Sequence, residues 1–323
     1  MLRIALIGAG EWCEAIHGPA LAHYAEEHPG EVELAAVCVR RRVERAKLFC
    51  EKFGFKTYYT DIEEMVDKKK PDACWVVTAI EATRGVAGKV MELGVPVLFE
   101  KPPGKNLQEA KELAEISKRT GTPNMVAFNR RWAPCTLKAL GWAKEQGPFE
   151  YVYARMLRAK RMDEEFAYGT GIHLLDCVRA LADAALGGVK SADTNRVDSA
   201  AGVFNFYVAM QFGSGAAGRC DILPTCGVVE ETYTLFGKDK WITFYLPWHT
   251  VDGRAELWVE GKLVESESWP AQPAWLSSGF YGEASEFIAA LTEGRRPSPS
   301  AEESVDSVAL AEAVQAGKSI SFE

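Results

Sequence analysis

The first ten residues constrain the fold more than any other feature of the sequence. Residues 2–7 read LRIALI, a mostly apolar run that ends at Gly8-Ala9-Gly10. Residues 12–27 then carry apolar side chains at helical spacing. A short apolar run closed by glycine is typical of a buried strand, and a helix directly after it begins a βαβ unit. We therefore expect the chain to start with a parallel sheet covered by helices.

This alternation of strands and helices continues to residue 128. Gly54 and Gly121 are suited to helix ends, and Asp61 with Glu64 three residues later has the pattern of a capping box. Strands separated by helices of about 10–15 residues predict an α/β fold with a doubly wound parallel sheet, which binds ligands at the carboxyl ends of its strands. The strands are predicted at 2–7, 32–39, 56–59, 73–79, 95–99 and 125–128, and the helices at 12–27, 42–53, 86–93 and 107–120, with one more from residue 61.

The second half of the chain is richer in long strands and short turns. Together they predict an α+β domain with a largely antiparallel sheet, and so a division of the 323 residues into domains at 1–124 and 125–323. Strands such as 203–212 are apolar on more than one face, which predicts burial in a homodimer or higher homo-oligomer. The strands are predicted at 151–159, 200–212, 216–223, 228–236, 241–246 and 254–265, and the helices at 173–184, 283–292 and 301–316.

Charge and composition narrow the range of partners. Lys and Arg number 37 against 45 Asp and Glu, a net charge of −8 that argues against a nucleic-acid partner. No run reaches the roughly 18 apolar residues of a membrane span, and no signal peptide is recognisable, so we expect no membrane partner. The eight cysteines form no C-x-x-C pair. They predict reduced thiols in a cytoplasmic protein, and the histidines show no metal-binding spacing.

The segment Gly8-Ala9-Gly10-Glu11-Trp12-Cys13 is an incomplete dinucleotide fingerprint. Gly8 permits a tight turn, Gly10 permits close approach of a pyrophosphate, and the helix that follows offers free N–H groups. Cys13 takes the place of the third small residue. The segment therefore predicts a dinucleotide-binding loop; the alternative is a tight turn without a ligand.

A basic turn follows the second predicted strand. Chains that bind NAD usually place Asp or Glu here for the ribose 2′-hydroxyl. This chain has Arg40, Arg41 and Arg42 instead. Arginines at the start of a helix favour an anionic partner. They predict binding of the NADP 2′-phosphate in preference to NAD, unless they form only a solvated turn.

Two further motifs carry groups suited to acid–base chemistry. Glu100-Lys101-Pro102-Pro103-Gly104 places a lysine directly after a strand, where its amine can reach a substrate hydroxyl or the nicotinamide amide. The alternative is a surface Lys–Glu pair. In the segment 169–176, His173 and Asp176 are three residues apart and share a helix face, so the carboxylate can raise the basicity of the imidazole. The alternative there is a core histidine.

Taken together, the motifs resemble the glucose–fructose oxidoreductase / inositol dehydrogenase / MocA-type (Gfo/Idh/MocA) family. The resemblance rests on G-x-G, E-K-P, Phe128-Asn129-Arg130-Arg131, G-x-H-x-x-D and the segment 279–283. It implies a Rossmann-type dinucleotide-binding domain, a substrate domain, and hydride transfer between NADP or NAD and a secondary alcohol carbon of a sugar, an inositol or a derivative. The implied cofactor residues are Gly8, Gly10, Glu11, Trp12, Arg40, Arg41, Thr78, Glu100 and Lys101.

The same resemblance assigns the chemistry to residues in both predicted domains. Lys101 and His173 flank the reacting carbon, with His173 as the acid–base group and Asp176 as the downstream acid, and Asn129 and Arg130 lie near the substrate. Only a cleft between the domains would bring Lys101 and His173 together.

Three positions depart from the family pattern. Gly169 stands in place of the acid four residues before the histidine, Thr83 replaces a histidine, and Cys13 replaces the third glycine or alanine. These departures keep a second hypothesis open, namely a non-catalytic nucleotide- or ligand-binding regulatory protein of the same fold. A turnover assay discriminates between the two.

Overall fold

The computed structural model describes residues 1–200, 202–248 and 250–322, which form two compact units. The first unit holds Met1–Ala127 and Phe280–Val305. The second holds Phe128–Gly279 and the segment from Asp306 onward. A single boundary near residue 124 therefore does not describe the return of the chain to the first unit.

The first unit is built on a six-stranded, fully parallel sheet, as the alternation predicted. Its strand order is β3-β2-β1-β4-β5-β6, so the order reverses between β1 and β4. The strands are β1 Leu2–Ile7, β2 Val32–Cys38, β3 Tyr58–Tyr59, β4 Ala73–Val76, β5 Val97–Glu100 and β6 Asn124–Ala127. The helices are α1 Gly18–Glu27, α2 Val43–Phe53, α3 Ile62–Lys69, α4 Ile80–Glu92 and α5 Leu107–Thr120.

Local signals fix several of these helix ends. The Asp61 carboxylate accepts a hydrogen bond from the Glu64 N–H at 2.8 Å, so it caps α3 as predicted. Gly54 and Gly121 end α2 and α5 with φ of 82° and 66°, a conformation that suits glycine. The central strands β1, β4 and β5 are almost fully buried, because helices cover the sheet.

The second unit contains a nine-stranded mixed sheet of order β14-β13-β12-β11-β7-β10-β9-β8-β15. β7 and β10 pair in parallel, and the other neighbours pair antiparallel, which confirms the α+β prediction. The helices and strands between residues 134 and 277 are α6 Pro134–Gln146, β7 Tyr151–Leu157, α7 Ile172–Ala185, β8 Val189–Ala200, β9 Val203–Phe212, β10 Ala217–Leu223, β11 Glu230–Gly237, β12 Lys240–Tyr245, β13 Gly253–Val259, β14 Lys262–Trp269 and α8 Ala274–Ser277.

Three features of this half differ from the sequence-based prediction. β8 and α6 were not predicted: β8 is largely polar, and no element was assigned to the segment that forms α6. The single strand predicted at 254–265 is two strands, joined by a turn at Glu260-Gly261. The predicted strand 200–212 includes residue 201, which lies outside the described residues.

The chain ends with α9 Phe280–Thr292, α10 Ala301–Ala316 and β15 Ile320–Ser321. α9 belongs to the first unit, where Phe287 packs edge-to-face on Trp75 of β4 with ring centroids 5.1 Å apart. Within the described part of the chain, none of the helices has both the length and the apolar character needed to cross a membrane.

Candidate cofactor-binding and active site

The two glycines after β1 have opposite surroundings, as a dinucleotide fingerprint requires. Gly8 has φ of +121°, and a Cβ on it would lie 2.1 Å from the Val77 carbonyl oxygen, so a side chain is excluded. A Cβ on Gly10 would meet no atom within 4 Å, so its backbone is open to close approach. Gly8 thus closes the turn, and Gly10 is the position at which a pyrophosphate would pack against the main chain.

The helix expected from Trp12 begins with α-helical residues 11 and 12 and then widens. Residues Cys13–His17 form a π turn that leads into α1 at Gly18. This turn buries Cys13 completely, and burial raises the pKa of its thiol to about 12. Cys13 therefore acts as a small packing residue, as expected for the third position of the fingerprint. The spacing of apolar residues could not predict the π turn, because a π turn, like an α-helix, buries residues on one face.

The Glu100 carboxylate at the end of β5 is the centre of a hydrogen-bond network. Its Oε1 accepts from Trp12 Nε1 at 2.9 Å and lies 2.7 Å from His17 Nε2, while its Oε2 accepts from the Lys101 N–H at 3.1 Å. Burial alone would raise the pKa of Glu100, but His17, the charge of Lys101 and Trp12 outweigh it and lower the pKa. Glu100 and Trp12 were predicted to bind cofactor; the structure shows them bonded to each other. Sequence reasoning missed His17.

Arg40 and Arg41 lie just beyond the carboxyl end of β2, with both side chains exposed. Neither guanidinium forms a hydrogen bond or ion pair with any of the described residues. The nearest following acid, Glu44, is paired with Lys47 at 2.8 Å. The two arginines are therefore available to an anionic ligand.

The predicted cofactor residues of the first unit converge on one edge of its sheet. Gly8 and Gly10 follow β1, the arginines follow β2, Thr78 follows β4, and Glu100 with Lys101 ends β5. β1 and β4 are the neighbours between which the strand order reverses. In open α/β sheets, a ligand binds at this reversal, outside the carboxyl ends of the strands. The glycine loop and the basic turn fit a phosphorylated dinucleotide, and the role predicted for the exposed Glu11 beside the loop stays a prediction.

His173 is the second residue of α7 in the second unit and is 6% exposed. A π turn, Ala167–Gly171, precedes α7, and its first N–H groups are held by the Gln315 side chain, whose Oε1 accepts from Ala167 at 2.9 Å. A Cβ on Gly169 would meet no atom within 4 Å, so the position has room for the acid that it lacks.

The surroundings of Asp176 change its interpretation. The side chain is fully buried and accepts two hydrogen bonds of 2.7 Å from the Arg131 guanidinium and one of 2.7 Å from Ser307 Oγ. Helical spacing placed Asp176 on the face of His173, but it carried no information about Arg131, which lies 45 residues earlier. Asp176 is thus the buried half of an ion pair, and its role as a downstream acid stays a prediction.

Asn129 and Arg130 are likewise held by protein groups. Asn129 Nδ2 donates to the Ser278 carbonyl oxygen at 2.7 Å, and Arg130 pairs with Glu231 at 3.3 Å. Glu231 also pairs with Arg158 at 2.5 Å. Burial would raise the pKa of Glu231, but the two guanidiniums lower it to about 2. This buried cluster fixes Arg130, whose role toward a substrate stays a prediction.

Comparison with known proteins agrees with this geometry. Residues 2–128 match a family model described as "Oxidoreductase family, NAD-binding Rossmann fold". The chain is 28% identical over 160 residues to D-glucoside 3-dehydrogenase of Escherichia coli (strain K12), a match that covers 50% of this chain and 44% of that protein. The chain thus spans less than half the length of this curated relative.

Solved structures share the whole fold at low sequence identity. A Gfo/Idh/MocA family oxidoreductase from Vibrio cholerae superposes with a TM-score of 0.82 and 20% identity, covering 98% of this chain and 97% of that one. An oxidoreductase from Agrobacterium radiobacter, in complex with NAD⁺, L-tartaric acid and magnesium, superposes with a TM-score of 0.79 and 19% identity. That match covers 99% of this chain and 98% of the other.

The fold and the sheet edge define the class of the first unit as an NAD-binding Rossmann fold of the oxidoreductase type. The family model that residues 2–128 match is that of the Gfo/Idh/MocA oxidoreductases, which confirms the resemblance inferred from the motifs.

Proposed function

We propose that the protein is an NAD(P)-dependent dehydrogenase that moves hydride between the nicotinamide and a secondary alcohol or ketone carbon of a sugar, an inositol or a derivative. The observation that carries the proposal is the gathering of Gly8, Gly10 and Lys101 at the strand reversal of a Rossmann sheet. The relation to D-glucoside 3-dehydrogenase supports the substrate class.

In this proposal the residues of the chain bind, orient and move protons. The N–H groups after Gly10 hold the pyrophosphate, and the Lys101 amine stabilises negative charge on the substrate oxygen. His173 takes the hydroxyl proton during oxidation and returns it during reduction. The bound nicotinamide supplies the hydride acceptor or donor. The roles of Lys101 and His173 come from the family resemblance and are tested separately.

We also propose a preference for NADP over NAD. The support is the pair of exposed guanidiniums at Arg40 and Arg41, together with the lack of a carboxylate at the end of β2. A 2′-phosphate would accept charge-assisted hydrogen bonds from such groups.

The alternative, a non-catalytic nucleotide-binding protein, is favoured by one observation. Gly169 lacks the acid expected before the histidine, and Asp176, the other nearby acid, is bonded to Arg131 and Ser307. Under this alternative the protein binds a dinucleotide but does not turn over sugars.

A variant series separates the two functions. We expect the protein to change the absorbance of NADPH with at least one member of a panel of keto-sugars and keto-inositols. Lys101→Met and His173→Ala should each lose about 10²–10⁴-fold in turnover, the usual contribution of a positioned acid–base group, while still binding NADPH. Lys105→Met is the matched control, because Lys105 lies on the same loop but pairs with Glu109 at 3.0 Å. Full activity in His173→Ala would contradict the acid–base role, and NADPH binding without turnover of any panel member would favour the alternative.

A further inference from the structure

A buried carboxylate connects the glycine loop to the proposed active-site lysine. Glu100 is 7% exposed and immediately precedes Lys101. It receives hydrogen bonds from Trp12 Nε1 on one side and from the Lys101 main-chain N–H on the other. The carboxylate therefore holds the segment after Gly10 and the lysine backbone in one fixed arrangement.

His17 is the third partner of this carboxylate and is itself 1% exposed. Its Nε2 lies 2.7 Å from Glu100 Oε1. An ionised carboxylate only accepts hydrogen bonds, so the proton of this contact belongs to His17 Nε2. Phe280 packs edge-on against both donors, with ring centroids 5.8 Å from His17 and 5.5 Å from Trp12.

The π turn explains how Trp12 and His17 reach the same oxygen. At 3.6 residues per turn, side chains five residues apart on an α-helix would diverge by about 140°. The π turn, with its i to i+5 hydrogen bond, brings residues five apart onto nearly the same side. The irregular start of the helix thus serves the carboxylate, and π turns of this kind are frequent at functional sites.

We propose that His17 is a positioning residue for Lys101: by donating to the Glu100 carboxylate, it fixes the main chain from which the lysine amine projects. The inference rests on the proposed function of Lys101. His17 contacts neither reactant in this account, and it acts only through Glu100.

A double-mutant cycle in turnover tests this dependence. His17→Leu removes the donor and should lower kcat by about 10²-fold, the cost of displacing a reacting group by about 1 Å, with a smaller change in KM. His17→Gln places an amide donor near the same point and should recover most of that loss. In a Glu100→Gln background, the same His17→Leu change should cost much less, because the two residues act as one unit. His23→Gln is the control, because His23 belongs to a half-exposed His–Glu pair on the same helix. This variant should behave as the parent protein.

Hydrogen exchange gives a second readout that needs no turnover. Residues 102 and 103 are prolines without an N–H, and the Lys101 amide, which donates to Glu100, is followed as a single resonance by hydrogen exchange in NMR. This amide should exchange faster in His17→Leu than in His23→Gln or the parent protein. Loss of exchange protection throughout the first unit would indicate general unfolding, and the His17→Gln variant then decides the question.

The outcomes distinguish the positioning role from the proposed function. If Lys101→Met keeps full activity, the role of the lysine is wrong whatever His17 does. If Lys101→Met is inactive but His17→Leu is as active as the parent, only the positioning role is wrong. The same holds if the effects of His17→Leu and Glu100→Gln on kcat are additive. Unchanged exchange of the Lys101 amide in His17→Leu would also overturn it, even in a protein without turnover.

Discussion

Replacing Glu231 with glutamine should destabilise the second unit, because this carboxylate neutralises two buried guanidiniums. Arg130 and Arg158 both pair with Glu231, and Tyr233 donates to its Oε1 at 2.7 Å. All four side chains are buried. Glu231→Gln keeps the size of the side chain and removes its charge, so two buried cations lose their counter-ion.

The magnitude follows from the pKa of the group. The pKa of Glu231 falls from an ordinary 4.5 to about 2 in the folded protein. At 1.36 kcal/mol per pKa unit, ionised Glu231 contributes about 3 kcal/mol to the free energy of unfolding at neutral pH. Removing one partner of a buried pair costs about 3–5 kcal/mol in general, so we expect a loss of that size.

The pH dependence gives the sharper test. Because the folded pKa is depressed, the stabilisation is complete above about pH 4.5 and is lost as the pH falls toward about 2. Urea unfolding at about pH 7 and about pH 3 gives the free energy of unfolding of the parent and of Glu231→Gln. The gap between the two proteins should be about 2 kcal/mol smaller at about pH 3. Glu267→Gln, an exposed carboxylate paired with Lys138, should cost less than about 1 kcal/mol at both. A loss of stability in Glu231→Gln that stays constant with pH, or stays below about 1 kcal/mol, would show that Glu231 is not the counter-ion of the two buried arginines.

Three further predictions follow from the same contacts. Arg40→Asp should weaken NADPH binding by about 1.5–3 kcal/mol in calorimetric titration, and tighter binding of NADH than NADPH to the parent protein would contradict the NADP assignment. Asp176→Asn should lower the free energy of unfolding by about 3–5 kcal/mol in urea, since it breaks a fully buried ion pair, and an unchanged midpoint would rule out that structural role. Light scattering at micromolar concentration should give the mass of a dimer or larger oligomer. The reason is that the sheet face opposite α6 carries aromatic side chains such as Trp241 and the 41%-exposed Phe236. The mass of a monomer would exclude the predicted homo-oligomer.

The sequence predicted those parts of the fold that depend on short-range signals. The bounds of β1 at 2–7, α5 at 107–120 and α10 at 301–316 agree with the structure, because apolar spacing and end residues lie within the element itself. The doubly wound parallel sheet was predicted as well, since right-handed βαβ connections bring the carboxyl ends of all its strands to one edge.

The contacts of the candidate site depend instead on residues far apart in sequence. His17 and Glu100 are 83 residues apart, and Arg131 and Asp176 are 45 apart, so no local pattern joins them. The polar strand β8 is stabilised by pairing with β9 and not by its own composition. One signal was present for His17: it lies between Ile16 and Gly18 on a buried stretch, where a histidine needs a polar partner.

Binding of NADPH to a Gly10→Val variant tests whether the glycine loop after β1 holds a dinucleotide. A Cβ at Gly10 meets no atom of the described protein within 4 Å, so we expect the variant to fold and melt like the parent. It would occupy the place of the pyrophosphate, however, and should weaken NADPH binding by about 1–3 kcal/mol, or roughly one to two decades in Kd. Gly85→Val is the matched control, because it is equally open but lies on α4, away from the loop. We expect a loss of affinity in Gly10→Val and none in Gly85→Val, and parent-like affinity in Gly10→Val would contradict a dinucleotide site on this loop.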